Sequence, residues 1–213
     1  MPPRWLWNLA RWLLVGSVLS VALLTLALAN GLADPPHAGP LLWEDDFKRD
    51  LARWDFSSPH WSAQAGALAA DLANAPSHMS ALTNNPANNF TFEVAGAQVT
   101  GEAGAAYGLV FDWHDASHYS AVLLNNNGYA EAYQLSGPQR VTWFQWGQWP
   151  HILVGADSNR VRVDVQGERL TFRINDEILA EASTARTPGQ IGLLAHGTGR
   201  VVFSWARLWG ERP

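Results

Sequence analysis

The chain has 213 residues, of which 47% are hydrophobic and 15% charged, with a formal net charge of −5. That length holds one folded domain plus an appendage, and the acidic balance argues against a nucleic-acid partner, which needs a basic face. No cysteine is present, which excludes disulfides, thiolate metal sites, cysteine nucleophiles and a lipidated-cysteine anchor.

Trp12 to Ala29 is a run of 18 residues without a charge, preceded by Arg4 and Arg11, and no acid appears before Asp34. Two readings compete. A cleaved signal peptide has a basic start, an apolar stretch of about 7–15 residues and a small-x-small site. Ala27-Leu28-Ala29 and Gly31-Leu32-Ala33 both supply such a site. A retained transmembrane helix needs about 17–25 apolar residues, with Trp5, Trp7 and Trp12 placed as an interfacial aromatic belt. The run is longer than an ordinary signal core, so residues 1–33 are expected to be a membrane anchor, with secretion after cleavage near Ala29 or Ala33 as the alternative. Either way the arginines hold the N-terminus inside and the rest is exported. Without residues 1–33 the formal charge becomes −7, because two arginines and no acids are lost. Such a domain is repelled by anionic lipid. Residues 34–40, DPPHAGP, read as a proline-rich, semi-rigid linker, and a folded domain is expected over 41–213.

Beyond Leu41 the pattern is period two rather than helical. Phe90, Phe92 and Val94 fall on one face of a strand. Tyr107, Leu109, Phe111 and Trp113 share another, and Val201, Phe203 and Trp205 a third. Val161, Val163 and Val165 alternate with polar residues, as do Leu170, Phe172 and Ile174. A two-residue turn at Gly167-Glu168, with glycine supplying positive φ, places Val165 opposite Leu170, Val163 opposite Phe172 and Val161 opposite Ile174. The same register sets Arg162 against Arg173, a like-charge pair that water must screen. Further turn signals fall at Asn84-Asn85-Pro86, Asn127-Gly128, Ser136-Gly137-Pro138 and Asn175-Asp176. Many short strands without helices predict two packed antiparallel sheets: an all-β jelly-roll sandwich behind one apolar helix.

The order of landmarks resembles a known group. Asp45-Asp46-Phe47 and Trp54-Asp55 open the domain, followed by Gly66-Ala67-Leu68, Tyr107-Gly108-Leu109-Val110-Phe111, His118-Tyr119-Ser120 and Asn127-Gly128-Tyr129. Asn159-Arg160-Val161-Arg162-Val163, Leu170 to Asp176 and Gly189-Gln190-Ile191-Gly192-Leu193 complete the series. Over about residues 41–210 the chain is similar to the concanavalin A-like lectin/glucanase superfamily, and within it to the bacterial 3-keto-disaccharide hydrolase (domain-of-unknown-function) group. The resemblance implies a jelly roll of twelve to fourteen strands whose concave face holds sugars. It also implies Asn-Gly at the late hairpin, where this chain has Asn175-Asp176. A tight type I′ turn tolerates Asp less well than Gly, which predicts a longer loop there.

Fold alone carries no function. A glycosidase needs two carboxyl groups about 5–5.5 Å apart to retain, or about 6.5–9.5 Å to invert, configuration. The Glu-x-Asp-x-x-Glu strand of laminarinase-like relatives is absent, and Glu131 is the only acid in its strand. An enzyme would have to pair Glu131 with Asp112. Asp112 and Asp115, three apart, point to opposite faces of a strand. Glu44-Asp45-Asp46 lacks the Asp-x-Asp-x-Asp spacing of a calcium loop, and the seven histidines show no metal-ligand spacing. Gly101-x-x-Gly104 precedes no helix, so it is not a phosphate loop. No catalytic residue, cofactor or metal is expected.

Aromatic rings are the remaining candidates, because flat rings stack on the C–H faces of pyranoses. Trp143, Trp146 and Trp149 lie within seven residues, with Tyr129, Tyr133 and Trp113 nearby. In a continuous strand Trp143 and Trp149 share one face and Trp146 the other. Gly147 and Pro150 argue against continuity, and tryptophans also fill cores and rims. Asn125, Asn126 and Asn127 offer amides to hydroxyls or build a turn. The leading expectation is a non-catalytic, exported, membrane-tethered domain that binds carbohydrate or an envelope protein. The alternatives are an accessory subunit of a membrane complex and a hydrolase of oxidised disaccharides.

Overall fold

The computed structural model describes residues 3–29, 34–49, 51–72, 78–85, 87–100 and 105–211. The Gly31-Leu32-Ala33 motif, Pro86 of the first turn signal and the Gly101–Gly104 segment lie outside them. The chain forms two units, residues 1–36 and 37–213.

The first unit contains helix α1 (Arg4–Ala29). Two of its hydroxyls bond locally. Ser17 Oγ donates to the Leu13 carbonyl at 2.9 Å and Thr25 Oγ1 to the Val21 carbonyl at 2.8 Å, which satisfies these groups without water. The stretch Arg4–Ala27 covers 24 residues, and its most apolar 18-residue window has a mean hydropathy of 1.9 with none of it buried. At 1.5 Å per residue it is long enough to cross a bilayer core of about 30 Å. That length and composition fit a membrane anchor or a signal sequence.

The second unit is a jelly-roll β-sandwich of fifteen strands among the described residues. In chain order these are β1 (Leu41–Asp45), β2 (Asp55–Phe56), β3 (Trp61–Gln64), β4 (Ala67–Asp71), β5 (His78–Thr83), β6 (Phe90–Thr100), β7 (Ala106–Asp115) and β8 (His118–Leu124). They continue as β9 (Tyr129–Ser136), β10 (Gln139–Gln148), β11 (Asn159–Gln166), β12 (Arg169–Ile174), β13 (Glu177–Ser183), β14 (Gln190–His196) and β15 (Arg200–Gly210). The back sheet runs β13-β12-β11-β6-β15-β4-β3, with β1 also paired to β15; the front sheet runs β10-β9-β8-β7-β14-β5-β2. Phe90, Phe92, Val163, Phe172 and Leu208 of the back sheet meet Tyr107, Leu109, Phe111, Val122 and Leu193 of the front sheet in one core. Each such buried side chain contributes roughly 1.5–3 kcal/mol.

The β11–β12 hairpin has the register expected from the sequence: Val165 faces Leu170, Val163 faces Phe172 and Val161 faces Ile174 across a turn with Gly167 at φ 60°. Arg162 does lie opposite Arg173, but a carboxylate rather than water separates their charges. Asp164 accepts from Arg162 Nε at 2.9 Å and Nη2 at 2.7 Å, and from Arg173 Nε at 3.3 Å. The β12–β13 loop is shorter than expected. Ile174 pairs with Glu177, and Asn175 and Asp176 alone make the turn at φ 51° and 72°. Asn175 offsets its strained backbone with bonds from its amide to the His151 carbonyl and Asn159 Oδ1, both 2.8 Å, while its Oδ1 accepts the Arg160 N–H.

Two bulges overturn the face assignments. β7 shifts register after Phe111, where Asp112 takes φ 50°, so Trp113 leaves the face of Tyr107, Leu109 and Phe111 and points out of the sandwich. β15 shifts between Phe203 and Trp205, and Trp205 pairs opposite Ala95 on the outer face of the back sheet. On that same face His37 stacks on Trp209 at 3.9 Å, and the Ala38 N–H donates to Thr91 Oγ1.

Candidate functional site

The outer face of the front sheet carries a second apolar layer. Alternation brings Tyr119, Ala121 and Leu123 of β8 beside Tyr133 of β9, Val110 of β7 and Leu194 of β14; all are buried. Two glycines let the strands sit this close. A Cβ on Gly108 would stand 2.1 Å from the Val122 carbonyl oxygen, and one on Gly192 2.3 Å from that of Ala81.

Polar groups are set into this floor in two places. Along β9 the residues Tyr129, Glu131 and Tyr133 share the face. Arg140, on the adjacent edge strand β10, lies over the Tyr133 ring at 3.9 Å and donates to Glu131 Oε2 at 2.5 Å. Burial pushes the Glu131 carboxyl up, against the pull of Arg140. Burial also pushes the Tyr133 hydroxyl well up, so it stays protonated, 3.3 Å from the Tyr119 hydroxyl. Tyr129 stacks on Trp146 at 6.3 Å, and the two rings are 39% and 40% exposed.

The second place is a trough at the end of β7–β10. One part, about 320 Å³, is lined by His114, His118, Tyr119, Gln134, Gln139 and Val141, among others. A neighbouring part of about 430 Å³ shares His114 and adds Asn84, Asn85, Trp113 and Gln190. Trp113 stacks on Tyr119 at 4.8 Å. The wall is the 184–189 crossover between β13 and β14, pinned by Arg186. Its guanidinium grips Asp112 with bonds of 2.7 and 2.6 Å, both side chains being 5% exposed. Asp115 accepts the Ser117 N–H and O–H at 2.7 Å and meets His118 Nδ1 at 2.9 Å. Those bonds hold its carboxyl well below the usual range.

The six aromatic candidates therefore separate. Trp113 lines the trough, and Tyr129 with Trp146 forms an exposed pair at the rim. Tyr133 belongs to the floor, beneath Arg140. Trp143 faces inward and stacks on Phe172 at 5.0 Å; Trp149 packs on Phe144 and against the core. The split is the one that alternation predicts for Trp143 and Trp149 against Trp146, the register shifts at 142–144 and 144–147 cancelling in parity. The asparagines build a turn, Asn125 Oδ1 accepting the Asn127 and Tyr129 N–H groups at 3.1 Å. Sequence reasoning missed Arg140, Tyr119, Gln134 and Gln139 as site residues. The signal for Arg140 was present, since a two-residue turn at Gly137-Pro138 sets Arg140 opposite Leu135.

The acids are individually engaged. Asp112 is held by Arg186 and Glu131 by Arg140. Asp45 accepts the Phe47 N–H and Trp54 Nε1–H at 2.8 Å, Glu44 pairs with Arg207 and Asp46 with Lys48. Among the described residues no three His, Asp or Glu converge as a metal site.

No protein-family model and no curated protein matches the sequence. Solved structures do match in fold. The chain is similar to the carbohydrate binding module CBM66 from Bacillus subtilis, with 17% identity over 71% of this chain and 92% of that one and a TM-score of 0.59. It is similar to the catalytic domain of an endo-1,3-beta-glucanase (laminarinase) from Thermotoga petrophila, with 9% identity over 84% of this chain and 100% of that one and a TM-score of 0.61. It also matches the GH43 protein BlXynB from Bacillus licheniformis, with 14% identity, 79% of this chain and a TM-score of 0.63, spanning only 39% of that longer chain. At these identities the likeness establishes a concanavalin A-like jelly-roll β-sandwich, a fold shared by binding modules and glycosidases alike.

Proposed function

We propose that this chain is an exported, membrane-tethered domain that binds carbohydrate on the outer face of its front sheet without cleaving it. One observation carries the reading. On that face the groups left open to a ligand are flat rings and uncharged hydrogen-bonding groups, while each nearby carboxylate is held by a basic partner. The exposed Tyr129–Trp146 pair offers apolar ring surface to sugar C–H groups. Gln190, opposite Trp113 on that face, offers an amide that both donates and accepts, as a hydroxyl requires. Hydrolysis needs two carboxyl groups facing one glycosidic bond, and Asp112 and Glu131 are bound to separate arginines. The fold shared with a carbohydrate binding module is in accord with this reading. The length of α1 supports the tether.

The test is calorimetric titration of the full chain, in mild detergent, with oligosaccharides first found on a glycan array. Binding to at least one glycan is expected, weakened about tenfold or more by Trp146→Ala, the loss of an exposed stacking ring. Failure of every glycan to bind overturns the reading. New reducing ends that appear with the wild-type chain and vanish with Glu131→Gln overturn its non-catalytic half.

A further inference from the structure

Resting on that reading, we infer that the site selects uncharged glycans against acidic ones, and that the Glu131–Arg140 pair enforces the choice. Arg140 is the cation best placed to meet a ligand, since its side chain is 46% exposed on edge strand β10. Its charge is already taken. Glu131 Oε2 lies 2.5 Å away, and the guanidinium face covers the Tyr133 ring at 3.9 Å. A ligand carboxylate or sulfate brought to Arg140 meets the Glu131 charge as well, so attraction and repulsion nearly cancel.

The basic groups around the trough are committed in the same way. Arg186 is buried against Asp112, and His118 lies against Asp115. His114 turns Nε2 to the Thr187 carbonyl oxygen at 3.1 Å. Asp55, on β2 at the far side of the sheet, adds only negative charge. The domain after residue 33 carries a formal −7, a field that repels polyanions before contact. The Gln190 amide remains as an open polar group, and it pairs with hydroxyls at no charge cost.

The experiment compares laminarin-, cellulose- and xylan-derived oligosaccharides with oligogalacturonates of matched length, all titrated into the full chain. The uncharged set is expected to contain the ligand, with an affinity that changes less than about twofold as salt is raised. Oligogalacturonate is expected to bind at least about tenfold more weakly than that ligand. Glu131→Gln keeps the shape and removes the charge, which releases Arg140. Oligogalacturonate affinity then rises about tenfold and becomes salt-sensitive, and adding Arg140→Gln abolishes the gain. Melting curves of both variants confirm that the sandwich is intact. A wild-type preference for oligogalacturonate overturns the inference while leaving carbohydrate binding in place. An unchanged preference in folded Glu131→Gln also overturns it. If no glycan, neutral or acidic, binds on the array, carbohydrate binding itself fails and the inference with it.

Discussion

Asp112 holds a backbone conformation that costs a non-glycine residue about 1–3 kcal/mol, at φ 50°. It persists because the carboxylate is gripped twice by Arg186 in a site where both side chains are 5% exposed. Gly189 packs on the same bulge, where a Cβ would stand 2.6 Å from the Trp113 carbonyl oxygen. Replacing Asp112 by Asn leaves the guanidinium buried without a counter-charge. A loss of about 3–5 kcal/mol is expected, read as a lower urea midpoint, together with weaker glycan binding because the trough wall is released. Glu93 makes a different kind of demand. It faces out from β6 with 6% of its side chain exposed and Arg160 Nη1 at 4.0 Å. Burial outweighs the pull of Arg160, Arg162 and Arg207 and pushes its carboxyl up to about 7. The folded state therefore binds this proton more tightly than the unfolded chain, whose Glu titrates near 4.5. The stability that the protonated group contributes is fully present below that unfolded value and is lost as pH rises to about 7. Glu93→Gln is expected to flatten this slope and to stabilise the protein on the order of 1–3 kcal/mol above pH 7, measured by urea melts across pH.

At the level of strands, what the sequence made legible was pairing and burial. Val161, Val163 and Val165 announce their partners because alternation and a glycine turn suffice to set a local hairpin. The errors of face were at bulges. Trp113 and Trp205 follow extra residues that flip the face, and a bulge depends on what neighbouring, sequence-distant strands demand. Trp143 and Trp149, read as ring candidates, pack into the sandwich while Trp146 reaches the surface, the two-faced split that alternation gives. Asp112 shows the same limit, since its cause, Arg186, lies 74 residues away. Arg140 was closer to legible, one step beyond a turn the sequence marked. The β10 split supplies its own test. Trp143→Ala is expected to cost about 3–5 kcal/mol, because it empties a core position between Phe111 and Phe172. Trp146→Ala, removed from a 40% exposed ring, is expected to cost less than about 1 kcal/mol while glycan affinity falls. Equal losses of stability would show that the two rings are not on opposite faces.

For the molecule as a whole, the decisive arrangement is an apolar helix long enough to span a bilayer followed by an acidic sandwich. Arg4 and Arg11 favour an inside N-terminus, because basic residues flanking a span resist translocation, and a domain of formal charge −7 is held off an anionic lipid surface. The absence of cysteine makes the topology directly readable, since a single introduced thiol has no background. Ser183→Cys, on exposed β13, is expected to react with a membrane-impermeant maleimide in intact spheroplasts, and Pro3→Cys to react only after lysis. The labelled chain is expected to stay with the membrane through an alkaline carbonate wash and to keep its full mass. Loss of the Pro3→Cys thiol from the mature chain, with a mass matching removal at Ala29 or Ala33, would instead establish cleavage and a free secreted domain. Labelling of Pro3→Cys but not Ser183→Cys in intact spheroplasts would invert the topology and place the trough where no external glycan reaches it. Glycan binding and outward labelling are thus joined outcomes. The open rings and paired charges of the front sheet have their proposed use only if Ser183 and the trough stand on the side where polysaccharide is found.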